Sequence, residues 1–278
     1  MSDPPRKRKR ILFAIGSTCV DHFLPLSQFP EQNGKFRIQT PKHRHKLTSE
    51  LRCIGGNVNN MGYAYANLAH LAKKNYSVGD IHHQGHVKIC TVLSKDDPMT
   101  QYAQNWYDGW AKNCSPHFDV SNVVWRKSND DSRQFFMPCT YILVVKDSRT
   151  CIHAPCEEME HLNEKDINAM MGIVGFAQDQ DLKEGDMWIY SDTRHGRFVN
   201  PLMKLLDNGP FKVPLVLDCE KWRGEDMLQQ LNRVKYCFMN SDFLQRFWVE
   251  NLKRPQDEYT LSDALMYLWD LRTDQESG

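Results

Sequence analysis

The segment Cys53-Ile54-Gly55-Gly56-Asn57-Val58-Asn59-Asn60-Met61-Gly62 sets two adjacent glycines directly before residues of helical spacing. Paired glycines let the backbone approach a ligand closely, and a helix start offers N–H groups with no intrahelical acceptor. Asn57 and Asn60 add amides that both donate to and accept from hydroxyls. Such a turn suits a neutral polyol. Upstream, Gly16-Ser17-Thr18-Cys19-Val20-Asp21 puts a carboxyl group just past an apolar run, Ile11–Ile15. Open α/β sheets bind ligands at that end of a strand, and one carboxylate there can accept from two neighbouring hydroxyls. Each feature also has a purely structural reading: a tight turn capped by Asn59 or Asn60, and a turn or cap carboxyl at Asp21. Their conjunction favours the ligand.

Positioning these groups requires a sheet. Residues 11–15 form a short, continuously apolar run ended by Gly16, the pattern of a strand buried on both faces. Asn60 to Lys74 carries Met61, Tyr65, Leu68 and Leu71 at helical spacing. Strands are predicted at 87–93, 120–125, 134–145, 150–153, 187–190, 213–217 and 234–239, with a turn at Lys146-Asp147-Ser148. Helices are predicted from Asp96-Asp97-Pro98 through about Lys112, over 162–176 and 198–206, and over 261–271, the last with Leu261, Leu265, Leu268 and Trp269 as its apolar face and Thr260 or Ser262 as its cap. This alternation predicts a parallel sheet with crossover helices on both faces. Two β-rich stretches, about 22–54 and 132–154, break the rhythm and are expected to pair as a small projecting sheet, because isolated strands leave backbone groups unpaired.

Composition narrows the partners. The 278 residues carry 35 Lys+Arg and 35 Asp+Glu, so there is no overall field to gather nucleic acid or an anionic membrane. The basic run Arg6–Arg10 reads as the end of a solvated tail, residues 1–10, with nuclear targeting as the alternative. No apolar stretch reaches the roughly 20 residues of a membrane helix, and the expectation is a cytoplasmic protein. Nine scattered cysteines read as reduced thiols. Cys151, His153 and Cys156 lack a second ligand pair for zinc, and His43, His45, His82, His83 and His86 read as loop histidines.

The Gly-Gly-Asn-x-x-Asn-x-small pattern of Gly55–Gly62 resembles the first signature of the PfkB/ribokinase family of carbohydrate kinases. Gly16-x4-Asp21 resembles that family's first strand and substrate aspartate, and Ser148-Arg149-Thr150 its Arg-Thr turn between lid strands. Trp188-Ile189-Tyr190 with Asp192 and Arg194, Cys219-Glu220-Lys221, and Cys237-Phe238-Met239 are similar to the ketohexokinase branch. The resemblance covers about 11–272 and implies a Rossmann-type three-layer α/β body with a β lid. It implies that Asp21, Gly55, Gly56, Asn57 and Asn60 hold a sugar and that Arg149 clamps the transferring phosphoryl group. Asp192, Glu220 and Asn240 fall on the nucleotide side. It also implies ATP and Mg2+ as cofactors, a ketohexose such as fructose as substrate, and a homodimer clasped through the lids. Asn33 stands where ketohexokinases carry an acidic lid residue that reaches the partner's sugar. The family's Asn-x-x-Glu element is represented by Asn240, with Phe at 243.

No Asp-Thr-x-Gly-Ala-Gly-Asp segment, which carries the family's anion hole and base, occurs in the sequence. The expectation is therefore a C-terminally truncated domain over 11–278 that recognises a sugar but phosphorylates it poorly. An incomplete version of an active kinase is favoured over a natural truncation product or a non-catalytic binding protein, because Asp21, Asn57, Asn60 and Arg149 all remain. A lid-mediated interaction protein and an adenosine-like nucleoside kinase are the alternative functions.

Overall fold

Strand β1 (Arg8–Ile15) is the axis of the molecule: Ile11, Phe13 and Ile15 are buried on one side of it, and Leu12 and Ala14 on the other. A strand apolar on both faces is stable only between two covering layers. The computed structural model describes residues 8–26, 52–75, 83–127, 135–156, 185–193, 213–224 and 226–273. The predicted helices at 162–176 and 198–206, and Asn33, His43, His45, His82 and Arg194, lie outside these residues, as does most of the first β-rich stretch.

β1 pairs in parallel with β4 (His83–Cys90) on one side and with β10 (Met187–Ser191) on the other. β6 (Phe118–Asp119) extends the first side; β11 (Leu215–Cys219) and β12 (Val234–Met239) extend the second. The order β12-β11-β10-β1-β4-β6 is parallel throughout, and the direction of winding reverses between β1 and β10. Helices α1 (Asn57–Asn75) and α2 (Met99–Asn113) supply Val58, Ala66, Ala103, Tyr107 and Trp110 to one core. The opposite core takes Met227 and Leu231 from α3 (Asp226–Leu231), Phe243 and Leu244 from α4 (Ser241–Arg246), Phe247 and Trp248 from the π-helical turn after it, and Ala264 and Leu268 from α5 (Leu261–Thr273).

A second sheet has the order β3-β2-β8-β9, from β2 (Cys19–Pro25), β3 (Arg52–Gly55), β8 (Cys139–Val145) and β9 (Ser148–Ala154). Every residue of β9 is exposed. A third, two-stranded sheet joins β5 (Val92–Ser94) to β7 (Val124–Arg126).

Several sequence expectations are corrected. Arg8, Lys9 and Arg10 are strand residues rather than tail, paired with His83, Gln84 and Gly85. That pairing also takes His83 and His86 out of a loop and into β4. The strand expected at 120–125 is split because Asp119 Oδ1 accepts from the Ser121 N–H (2.8 Å) and turns the chain; β6 then pairs with β4, and β7 with β5. α1 begins at Asn57, not Asn60, since both Asn59 N and Asn60 N donate to Gly56 O. Two apolar helix stripes are buried only in part: Met61 and Tyr65 of α1 and Leu268 of α5 pack on the cores. Leu68 and Leu71 are exposed while Val58, Gly62 and Ala66 meet the sheet, and a side chain at Gly62 would collide with Ile89. In α5, Leu261, Leu265 and Trp269 are exposed, Ala264 and Leu268 are buried, and Thr260 is the cap, accepting from Asp263 N at 3.0 Å.

Candidate functional site

The C-terminal tips of β1, β10 and β11 meet the start of α1 where the sheet reverses, the position at which open α/β sheets leave a crevice. Here three carboxyl groups are admitted by missing side chains or held by donors. Asp21 on β2 sits against Gly55 on β3, so closely that any side chain at 55 would overlap its carboxyl oxygens. Asp192, just past β10, packs against Gly16 in the same way: a Cβ there would lie 2.9 Å from its Oδ2. Asp218 on β11 accepts from Asn57 Nδ2 at 3.2 Å and from the Tyr190 hydroxyl at 2.9 Å.

Gly56 makes the turn between them. Its φ of +94° lies in the left-handed region, and a Cβ would run into the Ser17 carbonyl, so only glycine fits both the angle and the space. Asn57 and Asn60 follow one helical turn apart on the same side of α1, half-buried and exposed respectively. The structure thus brings Asp21, Gly55, Gly56 and Asn57 into one constellation, with Asn60 at its rim.

Asn59 has a different task. Its amide donates to Thr18 Oγ1 (2.9 Å) and Gly55 O (2.8 Å) and accepts from Tyr107 OH (2.8 Å), while Thr18 Oγ1 also lies 2.9 Å from Thr91 Oγ1. Fully satisfied buried networks of this kind rigidify what they join. This one ties the tip of β1, the turn before α1, the end of β4 and helix α2 together behind Gly55, Gly56 and Asn57.

Burial raises the Asp21 carboxyl above the ordinary carboxylate range, against the lowering effect of Cys19, Thr140, His153 and His22. Cys19 Sγ donates to Asp21 Oδ1 at 3.3 Å. The Asp21–Thr140 register and the Thr140–His153 contact at 3.1 Å connect the carboxyl to the second sheet. Burial, with Asp218 and then Asp192 and Glu220 adding to it, pushes the Tyr190 phenol far up and keeps it a donor.

No protein-family model matches the chain, and no curated protein matches it by sequence. Solved structures do. Ribokinase from Thermotoga maritima superimposes with a TM-score of 0.58 at 12% identity, covering 95% of this chain and 69% of that one. Arabidopsis thaliana ribokinase complexed with ribose and ATP gives 0.53 at 12%, covering 94% and 69%. The nucleoside kinase of Methanocaldococcus jannaschii, described as an archaeal member of the ribokinase family, gives 0.52 at 13%, covering 93% and 68%. The fold is ribokinase-like.

Arg149 pairs with Val144 near the hairpin turn, whereas Thr140, beside Asp21, pairs with His153. Four residues of strand separate the two rungs, roughly 13 Å, so Arg149 does not stand beside Asp21. Glu220 is half-buried just past β11. Asn240 is exposed at the tip of β12, and its Oδ1 accepts from Phe243 N at 2.8 Å, the geometry of a helix cap. Phe243 itself is buried in the core. That oxygen is therefore engaged, and among the described residues no group of three Asp, Glu, His or Cys side chains lies close enough together to hold a metal ion.

Sequence reasoning missed Asp218, Tyr190 and Thr193. Thr193 is β-branched yet has φ +64° and is 2% exposed. Such a conformation costs about 1–3 kcal/mol and persists where surroundings enforce it. Here the turn after Ser191, with Thr193 N on Ser191 Oγ at 3.3 Å, holds Asp192 toward Gly16. An acidic residue inside the apolar run Val216-Leu217-Asp218-Cys219 was the available signal for Asp218.

Proposed function

We propose that the crevice between β1, β10 and α1 binds a neutral polyhydroxylated ligand, and that the chain carries the sugar-holding part of an ATP-dependent kinase acting on a sugar hydroxyl, with a ketohexose such as fructose favoured. The observation that carries this is the Asp21 carboxyl seated on Gly55, two residues before Asn57 at the start of α1. A carboxylate accepts from two adjacent hydroxyls, while Asn57 and Asn60 supply complementary amide groups and the glycine pair brings the backbone within reach. The Arabidopsis ribokinase, of like fold, holds ribose and ATP. ATP would approach from the β11–β12 side, past Asp192, Glu220 and Asn240, and Arg149 would reach the phosphoryl group only with movement of the second sheet.

That sheet acts as a lid in this reading. Its outermost strand, β9, is fully exposed and includes Ile152 at 53% exposure, a surface that suits clasping by a second copy of the chain.

A thermal-shift panel of fructose, ribose, tagatose and adenosine, with ADP formation followed in parallel, tests the proposal. At least one sugar raises the transition temperature in proportion to its saturation, and Asp21→Ala abolishes the effect. If no sugar moves the wild-type transition, the site is not a polyol site; if only adenosine does, the ligand is a nucleoside.

A further inference from the structure

Asn57 can face a ligand through either end of its amide, and which end it shows decides what it recognises. Its Nδ2 donates to Asp218 Oδ2 across 161 residues of sequence, and the same oxygen accepts the Tyr190 hydroxyl. An oxygen that takes the Tyr190 hydrogen is an acceptor, so the Asn57 carbonyl cannot turn toward it without setting two acceptors against each other. Tyr190 is 1% exposed and has no room to swing away. The other end of the amide, Oδ1, accepts no hydrogen bond from the described residues. Asn57 also starts α1 directly after Gly56, whose positive φ fixes the direction in which residue 57 leaves the turn.

We infer that Asp218, braced by Tyr190, is a positioning residue that locks Asn57 with its carbonyl oxygen toward the ligand, so that the site selects a group that donates there. The inference rests on the polyol reading above and narrows it. Two acceptors, Asn57 Oδ1 and the Asp21 carboxyl seated on Gly55, then face the ligand at the same turn. A pair of free hydroxyls satisfies both. A sugar acid, a sugar phosphate or an ether oxygen at that position brings a further acceptor and is rejected, because the unpaired carbonyl and the ligand oxygen both lose their water without replacement.

Two measurements test it. In nitrogen-15-labelled, ligand-free protein, the Asn57 side-chain NH2 shows protection from exchange and a hydrogen-bonded shift; both are lost in Asp218→Leu and kept in Asp218→Asn, which still offers an oxygen. With D-fructose and its singly deoxyfluorinated analogues, each of which swaps a hydroxyl donor for an acceptor-only fluorine, wild type rejects at least one analogue by about tenfold relative to the parent sugar. Asp218→Leu lets the amide rotate and brings that ratio close to one, whereas Asp218→Asn preserves it. A general loss of stability would weaken all sugars together and leave the ratio alone. If sugars bind but the wild-type NH2 exchanges as a free amide, or the ratio is unchanged in Asp218→Leu, the lock is wrong and the polyol site stands. If the NH2 is protected but none of fructose, its analogues, ribose and tagatose binds, the polyol reading is wrong and the proposed selection falls with it.

Discussion

Asp21 is the residue on which the candidate site turns, and its protonation is a measurable handle. Burial raises its carboxyl pKa, so the folded chain holds this proton more tightly than the unfolded chain does. Where the folded state binds more protons, stability rises as pH falls, here through the window between the ordinary carboxylate range and the raised value. Above that window the full burial penalty is present. Asp21→Asn removes the ionisation, so urea unfolding across the acid range should show a flatter stability profile and a more stable protein at neutral pH. Sugar affinity should move oppositely: in wild type it weakens as pH drops through the same window, because a protonated carboxyl loses acceptor capacity. An Asp21→Asn variant with an unchanged pH profile and unchanged sugar binding would remove Asp21 from the site. The residue scale also holds a limit of reading sequence. Asp21 is legible from its place after an apolar strand, but no residue near Asp218 in the sequence marks it as the partner of Asn57.

At the scale of elements, the turn from β3 into α1 matters most. Gly56 and Gly224 both have left-handed backbones, with φ of +94° and +95°. A Cβ at 224 meets nothing within 4 Å, whereas one at 56 meets the Ser17 carbonyl. Gly224→Ala therefore isolates the cost of the backbone angle, about 1–2 kcal/mol. Gly56→Ala adds a collision with backbone and should lose more, together with the sugar response. Equal losses in denaturant unfolding would show that the turn has room to relax. The errors over helix faces have the same origin. Periodicity identifies a stripe of apolar residues, as in Leu68 and Leu71 of α1, but a stripe is buried only where another element lies over it. Gly62 and Ala66 were chosen by the sheet because small residues allow α1 to approach Ile89 closely.

For the whole molecule, the two sheets divide the work. The parallel sheet fixes the turn before α1 through the buried Thr18–Asn59–Tyr107–Thr91 network, while the four-stranded sheet carries Asp21. The exposed outer strand of that second sheet leads to a prediction about assembly. Sedimentation should show a dimer that Ile152→Lys converts to monomer, since a charge placed in a clasped sheet face is costly to bury. A wild-type monomer at tens of micromolar would exclude the clasp. No helix among the described residues is long and apolar enough to cross a membrane.

The sequence by itself determined β1, β4, β10, β11 and β12 of the parallel sheet, the Gly-Gly-Asn turn and the place of Asp21 beyond an apolar strand. Each depends on neighbours within a few residues: continuous apolar runs, paired glycines, a carboxyl at a strand end. Strand order, the reversal between β1 and β10, the buried faces of α1 and α5, the strained Thr193 and the Asp218–Asn57 contact were decided only by tertiary structure. Those features join residues as far as 161 positions apart, and no local pattern records a partner that chain folding alone brings within hydrogen-bonding distance.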